Sequence, residues 1–277
     1  MNAYFRADLH CHTSCSDGLL SPASVVRLAA ERGLTGLSIT DHDTIDAYEE
    51  ALPVAHECRI KMLSGVEFST VYQEHSVHVL AYAFPLSSSV IIDLCRRQQQ
   101  RRQHRAKAFL QRLAENGMIV THEALGVDDL HVIGRPHIAA ALVREGYVKS
   151  VKEAFHKFLN EGKKCFVPSE AFPVEEIIDS IHQAGGLAVL AHPMLIKKKR
   201  VLRQLLGMNF DGLECYYASF TMDEEQRFLE IAHKKKWLVT GGSDFHDDVS
   251  PYSSLGCSWT PEATFRILYD HFLESSK

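Results

Sequence analysis

The chain has no long apolar run. No stretch approaches the roughly 18 consecutive apolar residues that a membrane-spanning helix requires, so no membrane-spanning helix is expected in these residues. Its opening residues, Met1-Asn2-Ala3-Tyr4-Phe5-Arg6, carry neither the basic stretch nor the apolar segment of a secretion signal, and a cytoplasmic location is expected. The seven cysteines are odd in number and include no Cys-x-x-Cys pair, which reads as reduced thiols rather than a disulfide framework. Positive charge is not in excess: 30 Lys and Arg against 35 Asp and Glu give a net charge of -5 with His neutral. That balance argues against a bulk nucleic-acid binder, although a local basic face can still hold a phosphate or a short oligonucleotide. Internal repeats and low-complexity linkers are also missing. No Gly-x-Ser-x-Gly elbow surrounds Ser243, which removes the usual signature of a serine hydrolase.

What is present is size and histidine. With 277 residues, 45% of them hydrophobic, the chain can bury a large core as one α/β barrel or as a core domain with an insertion. It also holds sixteen histidines. Apolar runs at 4–9, 36–40, 61–66 and 77–82 read as strands, with helices at 22–33 and about 43–58. Ser21-Pro22 supplies an N-cap followed by Pro at the first helical position, and Gly33 stops that helix. The last third alternates helices 174–184, 197–207, 222–235 and 261–274 with strands 187–191, 211–215 and 237–241. Such alternation predicts a parallel sheet or a βα barrel. The middle differs: residues 88–165 read as a helical insertion with helices 88–116, 121–127, 135–145 and 150–161, between core segments 1–87 and 166–277. The first of these helices carries the basic run Arg96–Arg105, read either as a solvated face or as a wall that attracts phosphate.

The chemistry-bearing residues stand where strands run out, which is where βα folds place their active sites. Asp8-Leu9-His10-Cys11-His12-Thr13 puts two imidazoles one residue apart, and in extended chain that alternation aims both at one face, with Cys11 aimed at the other. Ser243-Asp244-Phe245-His246 answers it near the far end. Between them lie Thr40-Asp41-His42-Asp43, Gly65-Val66-Glu67-Phe68 and Ala191-His192-Pro193. A buried carboxylate such as Glu67 is costly unless it meets a cation or several donors. One strand-end His is ordinarily structural, but five such clusters together point to a metal site built of imidazole and carboxylate.

In order, Asp-Leu-His-x-His-Thr, Thr-Asp-His-Asp, Gly-Val-Glu, His-x-Leu-x-Tyr (from His78), Ala-His-Pro and Gly-Ser-Asp-x-His resemble the motifs of the PHP (polymerase and histidinol phosphatase) phosphoesterases, from Asp8 to His246. The resemblance implies an α/β fold, a distorted (β/α)7 barrel with two or three divalent metals at its mouth. It implies one metal on His10, His12, Glu67 and Asp244, and a second on Glu67, His78 and His192. A third would rest on Asp17, His42 and His246, with Asp17 replaced by His in some relatives. Asp41 and Asp43 fit better as orienters of imidazole or as helix caps. Manganese is expected, with iron and zinc equally suited to these donors.

Gly134-Arg135-Pro136-His137 lies in the insertion. It reads as a helix start with Pro at the first position. It also resembles a feature of the PHP branch that contains nucleoside 3′,5′-bisphosphate phosphatases and 5′→3′ exoribonucleases, in which Arg135 and His137 would hold substrate phosphate. The implied substrate is a phosphorylated nucleotide or short oligonucleotide, with no membrane and no obligate protein partner. Histidinol-phosphate phosphatase, a non-catalytic PHP module and a metallo-amidohydrolase are the rivals. The last usually carries a metal-bridging Lys, and no Lys stands at a strand end here.

Overall fold

The computed structural model describes residues 5–126, 133–168, 172–247 and 254–275. Tyr4, in the first expected strand, and Val127, at the end of one expected helix, lie outside the described residues. The chain forms two compact units, Met1–Cys95 with Phe172–Lys277, and Arg96–Ala171.

In the first unit, β1 (Ala7–Asp8), β2 (Gly36–Leu37) and β3 (Lys61–Met62) make a short parallel sheet. A second sheet has the order β6-β4-β5-β7-β8-β9, from β4 (Gly65–Tyr72), β5 (His75–Tyr82), β6 (Phe172–Pro173), β7 (Leu187–Leu190), β8 (Gly212–Tyr217) and β9 (Leu238–Gly242). Backbone bonds beyond these ladders join the chain segments that follow β1 and β2 to the large sheet. On one side His10 accepts from the Asp244 N–H at 2.8 Å, and Phe245 accepts from the His12 N–H at 2.8 Å. On the other, the Glu67 N–H donates to Asp41 at 3.3 Å and the Asp43 N–H to Glu67 at 3.1 Å. The two sheets are thus tied together at two places, on either side of the strand ends.

β5 runs antiparallel to both β4 and β7, where simple strand–helix alternation predicts parallel neighbours. β4 and β5 are joined by the two-residue turn Gln73-Glu74, both at positive φ (47° and 66°), the twist a tight hairpin demands. Helices cover the sheet through one-sided apolar spacing. α1 (Pro22–Glu31) buries Val25, Val26 and Ala29 and is capped by the Ser21 hydroxyl, which accepts from the Ser24 N–H. α2 (Ala47–Cys58) starts four residues later than the sequence predicts. The 10-residue α7 (Val174–Gln183) buries Val174, Ile177, Ile178 and Ile181, the period of an amphipathic helix.

The second unit is helical. α3 (Ser89–Glu115) leads into it, followed by α4 (His122–Leu125), α5 (Arg135–Arg144), α6 (Val151–Ala154) and one π-helical turn, Phe155–Leu159. Phe109, Leu113, Ile138, Leu142 and Leu159 sit in its own apolar core. In the first unit, α8 (Lys199–Leu205), α9 (Met222–Lys235) and α10 (Glu262–Ser275) complete the alternation. No described helix is long and apolar enough to cross a membrane.

Candidate metal centre

Side chains from four other segments of the chain converge on Glu67. One of its carboxylate oxygens lies 2.8 Å from His78 Nδ1 and 2.9 Å from His192 Nε2. The other lies 3.4 Å from His10 Nε2, 3.3 Å from His12 Nε2 and 3.1 Å from His42 Nδ1. Five imidazoles therefore face a single carboxylate. Asp244 adds a second acceptor, 3.3 Å from His10 Nε2 and 3.0 Å from His12 Nε2. Asp17 forms a third focus, 3.3 Å from His246 Nε2, 3.7 Å from His12 Nδ1 and 3.8 Å from His42 Nε2.

The backbone accommodates this crowding at specific positions. His10 and His12 lie past the end of β1, in extended chain held to Asp244 and Phe245. The β9 backbone passes so close beneath His10 that a Cβ on Gly242 would sit 2.4 Å from the His10 Cβ, so only glycine fits. His192 and Asp244 stand just beyond β7 and β9 at φ 24° and 50°. Non-glycine residues in that region store strain of about 1–3 kcal/mol each and concentrate where function holds them.

Hydrogen bonds on the far side of the rings fix their orientation. Glu214, buried on β8, accepts from His10 Nδ1 at 2.9 Å and, through its other oxygen, from the His192 N–H at 2.7 Å. That bond puts the His10 proton on Nδ1 and leaves an Nε2 lone pair facing Glu67 and Asp244. His246 Nδ1 meets the Asp244 carbonyl at 2.9 Å, which turns its Nε2 toward Asp17. The Tyr217 hydroxyl donates to Asp244 at 2.7 Å.

Asp41 differs from expectation. It accepts from the Thr13 N–H (2.7 Å), the Thr13 hydroxyl (2.6 Å) and the Ser16 hydroxyl (2.5 Å), so it braces the loop that carries Asp17 rather than bonding an imidazole directly. Its influence on His12 passes through the Ser16 hydroxyl, 3.5 Å from His12 Nδ1. Asp43 accepts from the Ser69 N–H at 2.8 Å and does not cap α2, whose N-cap is Asp46. Cys11 turns away, as alternation predicts, and its thiol donates to the Ser38 carbonyl.

The electrostatics favour a cation. Burial alone would push the Glu67 carboxyl up, but His78, His42 and His10 outweigh it and hold it well below the usual carboxylate range. Asp244 is likewise held down against burial by His10 and His12, and Asp17 by His42 and His246. Burial works against the charged form of His12, yet Asp244 and Glu67 raise it to about 10, whereas burial pushes His42 down to about 4. Packed rings cannot all be protonated, and protons alone do not satisfy the centre. His10 Nε2, His12 Nε2 and His42 Nδ1 are buried with no hydrogen-bond partner. Three buried ring nitrogens aimed at ionised carboxylates without a hydrogen bond to either fit a divalent cation between them. Three donor groups answer that description: His10, His12, Glu67 and Asp244; His42, Glu67 and His78; and His12, Asp17, His42 and His246, with one ligand atom from each residue of a group within 4.8 Å of the others. His192 stands outside these groups but shares its Glu67 oxygen with His78.

Two residues of this centre escaped the sequence reading, Glu214 and Tyr217. Glu214 sits between Leu213 and Cys215, both buried. A carboxylate in the middle of an apolar strand is the signal that would have found it.

Arg135 and His137 belong to the helical unit. Gly134 is the N-cap of α5, so Arg135 takes the first helical position and Pro136 the second, one later than the sequence suggests. His137 Nδ1 accepts from the Gly134 N–H at 3.1 Å, the place a Glu or Gln takes in a capping box. The Arg135 guanidinium lies over the Phe155 ring at 6.0 Å. Arg105 is close by and donates to the Val167 carbonyl through Nε and Nη2 at 3.2 and 2.9 Å. Burial, with Arg135 and Arg102, lowers the Arg105 guanidinium to about 10.

Residues 8–223 match the PHP domain model, and the chain belongs to that family. It is 33% identical over 267 residues to the 5′-3′ exoribonuclease Rnm of Salmonella typhimurium (strain LT2), covering 92% of this chain and 89% of that protein. It is 31% identical to the 3′,5′-nucleoside bisphosphate phosphatase of Chromobacterium violaceum, covering 86% of each chain. A solved structure of a candidate metal-dependent phosphoesterase from Bifidobacterium adolescentis superposes with a TM-score of 0.86 at 31% identity, over 97% of this chain and 96% of that one. The class is thus a metal-dependent phosphoesterase, a hydrolase of ester bonds that works with divalent metals.

Proposed function

We propose that this chain hydrolyses nucleotide phosphoesters, removing the 3′-phosphate of 3′,5′-bisphosphonucleotides and trimming short RNA from its 5′ end. The observation that carries the reading is the single buried carboxylate of Glu67 ringed by five imidazoles, three of whose nitrogens lack a partner. That arrangement suits a carboxylate shared between metals. His10, His12, Glu67 and Asp244 would hold one, Glu67, His78 and His192 a second, and Asp17, His42 and His246 a third, with manganese the expected ion. When bound, such metals supply hydroxide at neutral pH and neutralise phosphoryl oxygens.

The chain's own residues do the rest. Glu214 keeps the His10 proton on Nδ1, so that Nε2 remains a donor of its lone pair. Tyr217 fixes the rotamer of Asp244 by bonding its outer oxygen. Arg135 offers a planar fork for a phosphate of the nucleotide. In neutral His137, the cap accepted at Nδ1 places the proton on Nε2, the atom from which a leaving oxygen would be protonated. The relatives named for nucleotide and RNA substrates support this substrate class.

The test is phosphate release in the presence of manganese over a panel: a 3′,5′-bisphosphonucleotide, a 5′-phosphorylated oligoribonucleotide, histidinol phosphate and an aryl phosphate. The nucleotides should be turned over with the highest kcat/KM. Preference for histidinol phosphate would overturn the reading.

A further inference from the structure

Beyond β7 the chain leaves His192 through the 3-10 turn Pro193–Leu195 and then presents Lys197, Lys198, Lys199 and Arg200, with Arg203 one turn on. All five cations are exposed, and none forms an ion pair among the described residues. Lys198, Lys199 and Arg200 do nothing for the helix they begin: α8 has no acidic residue in its first turn, and cations there oppose the helix dipole. The loop is nevertheless held in place. Met194 and Ile196 pack against the same core cluster as Phe220, while Leu195 between them is 47% exposed.

A line of rings leads outward from the metal centre along β8, which the Pro193–Leu195 turn contacts. His192 meets Tyr217 edge-on with centroids 5.7 Å apart, and Tyr217 meets Phe220 at 5.0 Å. Tyr217 and Phe220 are half-buried, and Met222, at the start of α9, is 85% exposed. Lys197 faces that end of α9 and adds to the hydrogen bonds from Thr221 that lower the Glu224 carboxyl. A row of exposed cations beside partly exposed rings is the pattern that binds single-stranded nucleic acid, phosphates on the cations and bases on the rings.

We propose that the Lys197–Arg200 loop and the Tyr217–Phe220 edge form a ledge for single-stranded RNA, carrying the strand beyond the nucleotide at the metal centre. This rests on the nucleotide reading above and extends it to substrate length. It explains how a chain of net charge -5 holds a polyanion: the charge that matters is local.

The test compares the manganese-loaded wild-type chain with a K197A/K198A/K199A/R200A variant and with a K197R/K198R/K199R variant. Substrates are a 3′,5′-bisphosphonucleotide and 5′-phosphorylated oligoribonucleotides of two, five and ten nucleotides. The alanine variant should raise KM for the five- and ten-nucleotide strands about tenfold or more. Turnover of the bisphosphonucleotide should stay within about twofold. The salt slope of log kcat/KM on the ten-nucleotide strand should become shallower by about 0.7 for each phosphate that the ledge no longer neutralises. The arginine variant should behave as wild type, and Phe220→Leu should weaken the long strands about fivefold. Unchanged kinetics, an equal loss on the bisphosphonucleotide, or a wild-type chain that cleaves the bisphosphonucleotide but no strand would each overturn the ledge. If the wild type cleaves no nucleotide at all, the underlying reading fails. Anisotropy of a 3′-labelled ten-nucleotide strand then decides the ledge alone: binding that disappears in the alanine variant supports it. Binding retained, or displaced equally by poly-glutamate, overturns it and in the latter case points to an acidic protein.

Discussion

The barrel unit and the helical unit place their polar residues in opposite states. In the barrel, His10, His12 and His42 each bury a ring nitrogen without a partner, and burial is tolerated only because ionised Glu67, Asp244 and Asp17 stand opposite. In the helical unit, His137 is engaged by the Gly134 N–H and Arg105 by the Val167 carbonyl. A group with unmet valence in a buried place awaits a ligand, whereas a group that completes a helix cap has a structural duty before any other. The comparison separates residues that make little sense without a metal from residues that would be present for the fold alone.

The largest effect should come from the unmet side. Replacing His10 and His12 with Ala together removes two of the four donors in the first group and should abolish turnover and bound metal at once, measured by elemental analysis alongside phosphate release. The fold should survive, because His42 and His78 still face Glu67, although the loss of His10 leaves one oxygen of buried Glu214 without its 2.9 Å partner and lowers thermal stability. A variant that kept its metal and its activity would sink the metal assignment.

The helical side can be split between its two duties with Gln. At the third position of a helix, Gln can bond back to the N-cap as His137 does, so His137→Gln should leave thermal stability close to wild type. If His137 also donates a proton to the leaving group, kcat should fall by about 10²–10⁴-fold. Arg135→Ala provides the companion measurement: it should raise KM for phosphate-bearing nucleotides without changing metal content. Wild-type kinetics in both variants would leave these two residues with a structural role only and remove them from the site.

The same contrast shows what could be read in advance. His10, His12, His42, Glu67, His192 and Asp244 were legible because a polar residue at the end of an apolar strand is conspicuous, and the chain brings them together from positions 10 to 244. The β4–β5 hairpin was not, because Gln73-Glu74 has none of the Asn-Gly signal that marks a tight turn, and its positive φ values are imposed by the paired strands. The expected strand 61–66 merged β3 with the start of β4, because apolar Met62 and Leu63 stand before the break and Val66 just after it. The antiparallel course of β5 followed from that hairpin, so neither could be predicted by counting strands and helices. Cap chemistry at His137 was hidden differently, since His is not the residue type that a capping box leads one to expect.

Glu214 offers the smallest and most discriminating effect, because it touches no proposed metal directly. Its two oxygens accept from His10 Nδ1 and from the His192 N–H, so it sets the proton position on one ring and the backbone of another. Glu214→Ala should weaken metal binding by about 10–100-fold, the usual range when a metal-binding imidazole is deprived of its hydrogen-bond partner. It should also cost about 1–3 kcal/mol of stability by leaving a buried donor unsatisfied. Glu214→Gln keeps an acceptor for His10 but removes a buried negative charge, so stability should recover while metal affinity recovers only in part. Titration of manganese into the three proteins, with thermal melts of each, separates the two contributions. If Ala and Gln lose the same affinity, the charge of Glu214 is what the centre needs. Should neither lose any, the proton on His10 is set by something other than this carboxylate, and the contrast between partnered and unpartnered rings no longer explains the site.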